Sequence, residues 1–460
     1  MRICFLTVLM LFLAGTATAG WGPTVRLTTS DSASHNSMTP ARSIAAGPTG
    51  RIHVVFYDNR TGDQQIYYKR SADSGSTWSA DTMLSNGTGF KVEPAVAAAG
   101  GHVHAVWEDR DGGYNAGICY RRSTDAGLTW LPETLLAPPA YNCRNPSVAA
   151  LDSFVHVAWA DDSVGRELYY RRSTDFGATW GPEVKLTNEI QESWHPSLAL
   201  HGSCVHLAWR DWRDHSFEVY YKRSTDFGAT WGEDTRLSED PAGSYNPCIA
   251  ADSGLVHVVW WDTRTTPFEI YYKNSTDEGL TWSADTRLTN DTTGSYNMTV
   301  AARGAMVHVM WEALYGTSFI MYKYSPDGGT AWSTDTAITV TPEYWSVSPC
   351  AAVDGEAVHL IWTDFRDSEY GEIYYKHRLA DSTGVAEERR LLRVPRVMPT
   401  FYRGVLSSVR TPGRLLDAAG RTVLDLRPGA NDVQHLAPGV YFALQGQVHA
   451  QKVCRVIVIR

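Results

Sequence analysis

Four acidic residues of this sequence could supply acid–base chemistry. They are Glu93, Asp109, Asp161 and Glu312, and each lies beside a short apolar or aromatic run. Cleavage of a glycosidic bond uses two carboxyl groups, one of which has a raised pKa and donates a proton. The sequence does not say which two of the four lie within reach of each other. They are therefore candidate catalytic residues, and whether the protein is an enzyme is left open.

A second set of residues combines an aromatic ring with an amide or an imidazole. An aromatic ring can stack on a sugar, and an adjacent amide can hydrogen-bond to its hydroxyl groups. The alternative is that the rings wedge between neighbouring repeats while the asparagines cap turns. Both interpretations stay open for these candidate ligand-binding residues, which are Tyr141, Asn142, Trp194, His195, Tyr245, Asn246, Tyr296, Asn297, Tyr344 and Trp345.

A third set consists of arginines in the pattern Trp-x-Asp-x-Arg, in which Phe replaces Trp once. A glutamate opens the next strand-like run in several of the same repeats, at positions 218, 269 and 372. Because these positions should face each other across a hairpin, we expect ion pairs between the arginines and the glutamates. Binding of an anion is the alternative role. The arginines concerned are Arg60, Arg213, Arg264 and Arg366.

A repeated frame must position all of these side chains. Ser-x-Asp-x-Gly-x-x-Trp occurs six times, and its tryptophans, at positions 78, 130, 180, 231, 282 and 332, are 50 to 52 residues apart. In the copy Ser224–Trp231, Asp226 can accept hydrogen bonds from N–H groups two and three residues on, and Gly228 supplies a positive φ. The frame therefore predicts a hairpin turn whose tryptophan enters the next strand. A period of this length indicates a solenoid, a propeller or an array.

The count of strands predicts the closure of a ring. The second strand of each repeat contains one histidine at the same place, and there are seven of them, at positions 53, 104, 156, 206, 257, 308 and 359. Only six frames are present. One histidine per blade cannot converge on one ion, so we expect buried, hydrogen-bonded imidazoles and neither a metal nor another cofactor. Trp21–Thr28 resembles a fourth strand without a blade of its own. We predict that it completes blade seven, which gives an all-β, seven-bladed propeller of four-stranded blades.

The frame resembles the Asp-box, or BNR repeat, of the sialidase-like β-propellers, and the resemblance covers residues 20–380. It implies that the interblade linkers and the turns after the second strands share one face, opposite the Asp-boxes. It also implies an arginine triad that binds a carboxylate, and a tyrosine nucleophile. The count of seven blades, where the family has six, and the absence of Phe-Arg-Ile-Pro favour binding over catalysis.

The two ends of the chain carry different signals. Residues 1–19 resemble a secretory signal peptide, with Arg2, an apolar run and Ala17-Thr-Ala19 as the cleavage site. Residues 381–400 form a charged linker, and residues 401–460 are expected to fold as a small β-sandwich. The ordered motifs Asp-x-x-Gly-Arg, Leu-x-Pro-Gly-Val-Tyr and a basic-flanked apolar last strand resemble the sorting domain of type IX secretion cargo. That resemblance implies the outer-membrane export machinery as a partner.

Composition narrows the choice of ligand. The net charge of −9 excludes nucleic acid as an expected partner, because neutralising phosphates requires a basic surface. We therefore predict a secreted or cell-surface monomer that binds an extracellular glycan or glycoprotein. The binding residues would be the aromatic residues and asparagines on the face that carries the interblade linkers. The alternative is an exo-sialidase or another glycoside hydrolase that uses the carboxylates and arginines of the same face.

Overall fold

A computed structural model gives the fold of the chain. It describes residues 20–30, 32–37, 42–47, 49–110, 116–139, 142–163, 165–188, 192–314, 317–340, 343–355 and 357–379, together with the strand segments 401–402, 405–409, 413–416, 422–427, 429–432, 439–445 and 452–458. The chain divides into two compact units, Met1–Asp381 and Ser382–Arg460.

The first unit is a ring of seven antiparallel sheets, which we call blades 1 to 7. The strands of the first three blades are β1 (Val25–Arg26), which belongs to blade 7; β2 (Ser34–His35), β3 (Ile44–Gly47), β4 (Arg51–Thr61), β5 (Asp63–Ser71) and β6 (Thr82–Met83) of blade 1; β7 (Phe90–Ala99), β8 (His102–Arg110), β9 (Ala116–Ser123) and β10 (Thr134–Ala137) of blade 2; and β11 (Cys143–Leu151), β12 (Phe154–Asp161), β13 (Glu167–Ser173) and β14 (Val184–Lys185) of blade 3.

The strands of the other four blades are β15 (Ser193–His201), β16 (Cys204–Asp211), β17 (Glu218–Ser224) and β18 (Thr235–Arg236) of blade 4; β19 (Ser244–Asp252), β20 (Leu255–Asp262), β21 (Glu269–Ser275) and β22 (Thr286–Arg287) of blade 5; β23 (Ser295–Arg303), β24 (Met306–Leu314), β25 (Ser318–Ser325) and β26 (Thr336–Ala337) of blade 6; and β27 (Ser346–Asp354), β28 (Ala357–Asp364) and β29 (Glu372–Leu379) of blade 7. The prediction of a seven-bladed propeller is confirmed.

The repeated frame forms the turn between the third and fourth strands of blades 1 to 6. In blade 4 the Asp226 carboxylate accepts the N–H of Thr230 at 2.9 Å and its hydroxyl at 2.7 Å, while the Ser224 hydroxyl accepts the N–H of Gly228 at 2.8 Å. The carboxylate thus reaches the fourth residue on, where the sequence had indicated the second and third. Gly228 has φ +75°, as the turn requires.

Each frame also locks one blade onto the blade before it. The ring of Trp231 meets the ring of Tyr170 in blade 3 edge-on, with centroids 5.1 Å apart. The Tyr170 hydroxyl lies against Gly228, where a Cβ atom would come within 1.9 Å of it, and it hydrogen-bonds to Nδ1 of His156 at 2.6 Å. The other six repeated histidines hydrogen-bond to the equivalent tyrosines in the same way. These histidines are therefore buried and hydrogen-bonded, as expected.

The ring is closed by strand pairing within blade 7, because the segment that supplies its fourth strand comes from the N-terminal part of the chain and runs on into blade 1. Strand β1 pairs antiparallel with β29 in the register Val25–Tyr375, so the N-terminal segment supplies the fourth strand of blade 7. The ring of Trp21 lies edge-on to that of Tyr322 in blade 6, at 5.1 Å, and so replaces the missing tryptophan of a seventh frame. The segment Trp21–Thr28 is called the clasp from here on. It was predicted from the sequence.

Small residues line the centre of the ring. The first strands of adjacent blades pack against one another, and alanines such as Ala97, Ala149, Ala250 and Ala301 face the central channel. The resulting cavity measures about 180 Å³, which is far smaller than an oligosaccharide needs. A ligand of that size must therefore bind at the rim.

The second unit consists of two sheets. The larger has the order β30 (Phe401–Tyr402), β36 (Lys452–Val458), β35 (Gly439–Gln445), β32 (Gly413–Leu416) and β33 (Thr422–Leu426), and the smaller pairs β31 (Val405–Val409) with β34 (Gly429–Asp432). The packing of these sheets as a sandwich stays a prediction, as does the linker 381–400, which lies outside the described residues.

Two further observations concern the residues that the structure describes. The five cysteines that the structure describes in the propeller, at positions 119, 143, 204, 248 and 350, are buried and form no disulfide. Among the described residues, no helix has the length and apolar character needed to cross a membrane.

Candidate functional site

The candidate residues share one rim of the ring. The start of each first strand pairs with the end of the second strand, as Tyr296 does with Glu312, so the linkers and the turns after the second strands lie at the same end of each sheet. The frames lie at the opposite end, next to the hairpins between first and second strands, as the hydrogen bond from Phe227 N–H to the Ser203 carbonyl shows. We call the first of these ends the linker rim.

A bulge marks the linker rim in blades 2 to 7. The register between the first and second strands shifts there, and a residue other than glycine takes φ between +44° and +55°. Such backbone is strained in these residues and re-aims the neighbouring side chains. The bulge residues are Glu93, Asn145, His195, Asn246, Asn297 and Ser348.

One position of the second strand faces these bulges. It directly follows the repeated tryptophan, which is Phe56 in blade 1, and it is occupied by Tyr57, Glu108, Ala160, Arg210, Trp261, Glu312 and Thr363 in blades 1 to 7. Its side chain reaches the bulge residue of the next blade: Glu108 accepts the N–H of Asn145 at 2.7 Å, and Glu312 accepts that of Ser348 at 2.5 Å. We call it the mouth position. It is the place at which the otherwise similar blades differ in the chemistry of their side chains.

Glu312 is a buried carboxyl group held by neutral donors. Its Oε1 accepts from Asn297 Nδ2 at 2.9 Å and from the Ser348 N–H, and its Oε2 accepts from the Ser318 hydroxyl at 3.2 Å. Within the described residues no lysine or arginine forms an ion pair with it. Burial raises the pKa of Glu312, and the hydrogen bonds oppose that rise only in part.

Glu108 shows what the same position looks like when a cation is present. Its carboxylate is equally buried, but Arg110 lies 2.6 Å from it and Arg144 lies 3.6 Å from it. The two glutamates thus share a position and a backbone donor and differ in charge compensation. Of these two glutamates, only Glu312 has no cationic partner among the described residues, and burial without such a partner favours the protonated form of a carboxyl group.

An open cavity of about 830 Å³ lies over Glu312, between blades 6 and 7. It brings together six residues that the sequence had singled out, namely Tyr296, Asn297, Glu312, Tyr344, Trp345 and Arg366, and Glu343 also lines it. Tyr344 and Trp345 are 40% and 47% exposed, which is high for aromatic side chains. Burial, and then the nearby Glu312 carboxyl, raise the pKa of Tyr296, which disfavours its phenolate form.

A row of aromatic rings leads from this cavity along the linker rim. Neighbouring centroids in the row are 4.1 to 5.9 Å apart, and the closest pair, Tyr245 and Trp261, is stacked with an interplanar angle of 12°. The aromatic row crosses blades 4, 5 and 6 in the order Trp212, Phe217, Tyr245, Trp261, Phe268 and Tyr296.

The four arginines pair differently from the prediction. Arg213 binds the carboxylate of Asp211, two residues earlier, through Nε at 2.9 Å and Nη2 at 2.8 Å. The glutamate expected as its partner, Glu218, instead binds Arg236 of the fourth strand at 2.8 Å. Residues i and i+2 project from the same side of an extended chain, which favours the short-range pair. The expected arginine–glutamate pairs across the hairpin are therefore wrong.

Equivalent pairs in three other blades account for Arg60, Arg264 and Arg366. Because the four guanidinium groups belong to four different blades and each binds its own aspartate, they do not form a triad around one anion. Of the four, only Arg366 lines the cavity between blades 6 and 7.

The remaining carboxylate candidates lie apart from that cavity. Glu93 accepts the Ser37 hydroxyl at 2.5 Å, Asp109 forms an ion pair with Lys91, and Asp161 accepts the N–H of Ser163 at 2.8 Å. Each belongs to a different blade from Glu312, so the structure does not place these carboxylates as its catalytic partners.

The other ligand candidates are spread around the linker rim. Asn142 Nδ2 donates to Asp162 at 3.1 Å, and Trp194 Nε1 donates to Glu192 at 3.2 Å beneath the guanidinium of Arg166. In blades 3 and 4 these contacts agree with the alternative interpretation, in which the rings pack between neighbouring repeats and the asparagines cap turns. Burial lowers the pKa of His195. Asn246 is one of the bulge residues. Tyr141 lies outside the described residues.

One group of side chains has donor atoms of the kind that bind metals. Asp109, Cys119 and Glu133 place an oxygen, a sulfur and an oxygen within 4.8 Å of one another. Lys91 already supplies a cation to Asp109, and burial raises the pKa of Cys119 and so disfavours the thiolate that a metal needs. The cluster therefore does not fit a metal centre.

The comparisons with known proteins support the fold. No family model and no curated protein matches the sequence. Among solved structures, polysaccharide lyase Uly1 aligns with a TM-score of 0.58 and 9% identity over 79% of this chain and all of that one. A PL25 ulvan lyase gives 0.56 and 11% over 76% and 95%, and the endosialidase of phage phi92 gives 0.50 and 11% over 95% and 87%. At these identities the likeness shows a shared propeller fold, and these particular propellers act on glycans.

Sequence reasoning missed part of the cavity. Phe365, Asp367, Ser368 and Glu369 line it, and the row contains Trp261 and Phe268, none of which was singled out. Alignment of the mouth position across the seven repeats could have found Trp261, because that position is the most varied in an otherwise uniform strand. The loop residues 365–369 carry no comparable signal.

Proposed function

We propose that this protein binds an extracellular glycan, and that the site is the cavity between blades 6 and 7. The observation that carries the proposal is the meeting there of two exposed rings, Tyr344 and Trp345, with the Asn297 amide and several carboxyl groups. Sugar rings stack on aromatic faces, and amide and carboxylate oxygens accept hydrogen bonds from sugar hydroxyls. The volume of about 830 Å³ suits a short oligosaccharide.

The charge of the cavity favours an uncharged glycan. Its lining contains Glu312, Glu343, Asp367 and Glu369 but a single arginine, which is already bound to Asp364 at 2.6 Å. A sialic acid or uronic acid placed there would face several carboxyl groups without a free cation. Neutral sugars meet no such repulsion.

The aromatic row favours a chain of sugars over a single residue. It begins at Tyr296 in the cavity wall and continues over blade 5 to Trp212 in blade 4, which is 38% exposed. Successive rings along a surface can support successive sugars of a linear polysaccharide, since stacking makes few demands on the identity of each sugar.

Binding is tested by titration calorimetry of neutral, acidic and basic oligosaccharides on the purified protein. Trp345→Ala should weaken binding of the neutral ligand about tenfold or more, because it removes an exposed stacking surface. Phe90→Ala is the matched control, since Phe90 is equally exposed at 47% but lies in blade 2. Equal affinities of both variants and the wild type would rule out this cavity as the site.

A second candidate function is glycoside hydrolysis with Glu312 as the proton donor. Burial without a cation raises the pKa of Glu312, which is the property that a general acid needs. Glu343 in the same cavity wall is the candidate second carboxylate.

Glu312→Gln separates catalysis from binding. We expect it to abolish any turnover of a fluorogenic glycoside panel and to change the free energy of unfolding by less than about 1 kcal/mol, since glutamine keeps the acceptor for the Ser348 N–H. Glu108→Gln is the control: it should keep turnover but lose about 1–2 kcal/mol, because Arg110 loses its charge partner. Turnover that survives Glu312→Gln would exclude this residue as the acid.

Export completes the proposal. Residues 1–19 would direct the chain across the inner membrane, and residues 401–460 would direct it to an outer-membrane type IX machinery, leaving a secreted or surface-held monomeric propeller. Deletion of residues 401–460 should leave the propeller in the periplasm, as cell fractionation would detect. Unchanged secretion of the truncated chain would remove the sorting role.

A further inference from the structure

One position at the entrance of the central channel differs between the blades. In every blade an alanine of the first strand lies opposite the repeated histidine, as Ala45 lies opposite His53 in blade 1. Three residues before that alanine, blade 1 has Arg42 and blade 6 has Met298. The other five blades have a proline there, at positions 94, 146, 196, 247 and 349. Blade 1 therefore places a positive charge where the other blades are uncharged.

The side chain of Arg42 reaches across the channel. Its Nη2 donates a hydrogen bond to the backbone carbonyl of Ile249 in blade 5, which is 207 residues further along the chain. The carbonyl of Arg42 itself accepts the N–H of Val96 in blade 2 at 2.8 Å, and this bond fixes the backbone from which the side chain extends. The guanidinium group therefore lies inside the ring, at the end of the channel that belongs to the linker rim.

The walls of the channel offer this guanidinium group no negative charge. Among the described residues that line the channel, Arg42 has the only polar side chain, and the others are alanine, valine, leucine and isoleucine. Arg42 forms no ion pair with any described residue, and its Nε is buried without an acceptor. A charged group in apolar surroundings costs free energy unless a partner of opposite charge compensates it. The arrangement therefore calls for an anion.

A thiol near Arg42 does not supply that charge. Cys350 of blade 7 accepts the N–H of Ser43, the residue after Arg42, at 3.1 Å. Burial raises the pKa of Cys350 to about 11, and backbone hydrogen bonds and the charge of Arg42 oppose that rise only in part. The thiol is therefore neutral at physiological pH.

We infer that the channel binds a small inorganic anion, such as chloride, against the guanidinium group of Arg42. Nη1 donates to no described atom, so it is available to the anion while Nη2 keeps its bond to Ile249. The cavity of about 180 Å³ has room for such an ion together with several water molecules, since a water molecule occupies about 30 Å³ in the liquid. The site is independent of the glycan proposal, because Arg42 does not line the cavity between blades 6 and 7.

The channel should prefer weakly hydrated anions. Its apolar walls cannot replace the water molecules that a strongly hydrated ion such as fluoride would lose, and a guanidinium group is itself weakly hydrated. Bromide and nitrate should therefore bind more tightly than chloride, and fluoride should bind least.

Binding is measured by the width of the chloride NMR line in solutions of the full-length protein. Exchange of chloride between the channel and the solvent should broaden the line, and nitrate should reverse the broadening. Arg42→Met, which introduces the residue of blade 6, should lose most of it. Arg303→Met is the matched control, since Arg303 is exposed at the far end of the first strand of blade 6. Equal broadening in the wild type and in Arg42→Met would overturn the inference.

Thermal unfolding provides a second measurement. An anion that binds only the folded ring raises the melting temperature in a saturable way. When sodium chloride replaces sodium gluconate at constant ionic strength, the melting temperature of the wild type should rise by on the order of 2 °C relative to that of Arg42→Met. Arg42→Gln keeps an N–H donor without the charge and should behave as Arg42→Met does. A parallel dependence in the wild type and both variants would exclude the site.

The class of the anion is identified by competition against chloride with bromide, nitrate and acetate. Displacement by bromide and nitrate at lower concentrations than by acetate supports the site and identifies a weakly hydrated inorganic anion as its ligand. Displacement by acetate at the lowest concentration supports the site and identifies a small carboxylate. Absence of displacement by all three would exclude the site.

Discussion

At the scale of single residues, the closeness of the interblade contact makes glycine indispensable in the frame. Gly228 has φ +75°, and a Cβ atom there would come within 1.9 Å of the Tyr170 hydroxyl. Gly202 has φ +55° but open space around it. Gly202→Ala should therefore cost about 1 kcal/mol from backbone strain alone, whereas Gly228→Ala should cost about 1–3 kcal/mol more from the collision.

Urea unfolding measures both changes. Tyr170→Phe removes the hydroxyl nearest to the new methyl group, so the double variant with Gly228→Ala should cost less than the two single changes added together. Strict additivity would mean that the hydroxyl is not what excludes alanine.

At the scale of elements, we expect the clasp to be the most easily detached strand of the ring, because no hairpin joins it to β29. Trp21→Ala should cost about 3–5 kcal/mol, as truncation of a buried tryptophan does, and should also expose β29. The control is Trp231→Ala, since Trp231 makes the same edge-on contact at 5.1 Å but lies in a blade whose strands follow one another in sequence.

Hydrogen exchange separates the two variants. Amides of β1 and β29 should exchange faster in Trp21→Ala than the equivalent amides of blade 4 do in Trp231→Ala. Equal exchange in the two blades would show that the clasp is as secure as a covalently continuous strand.

At the scale of the whole molecule, seven buried histidines make stability depend on pH. Burial lowers the pKa of each to about 3 or 4, against 6.5 for the unfolded chain. Between these values the unfolded state binds more protons, so stability is complete above about pH 6.5 and is lost as the pH falls toward 4. Each histidine contributes a slope of about 1.4 kcal/mol per pH unit.

Tryptophan fluorescence in urea between pH 7.5 and 4.5 checks this dependence. All 17 tryptophans precede residue 363, so the signal reports on the propeller unit alone. His257→Gln should reduce the dependence of the unfolding free energy on pH by the contribution of one histidine. A slope unchanged by that substitution would mean that His257 is not neutral in the folded state.

Repetition is the reason why so much of the fold could be predicted from the sequence. Seven copies of one pattern make the assignment of each strand less ambiguous than a single copy would. Trp21–Thr28 could be recognised as a fourth strand because the sequence contains six other fourth strands for comparison. The histidines were understood for the same reason, since seven equivalent positions cannot serve one metal.

The site was less predictable because it depends on departures from the repeat. Contacts between blades, such as that from Glu312 to Ser348, join residues 36 positions apart and follow from the bulge, which no local pattern reveals. The arginine partners were wrong because two carboxylates competed for each guanidinium, and the nearer aspartate wins.

The closure of the ring by the clasp also affects how such a gene can change. Duplication and recombination copy contiguous DNA, so they carry the hairpins and the frame of an internal blade together. The clasp is encoded far from its sheet, since 345 residues separate Thr28 from its partner Ile373. Exchange among the internal repeats therefore does not overwrite it. Among the seven blades, blade 7 is therefore the one that is assembled from two distant parts of the gene.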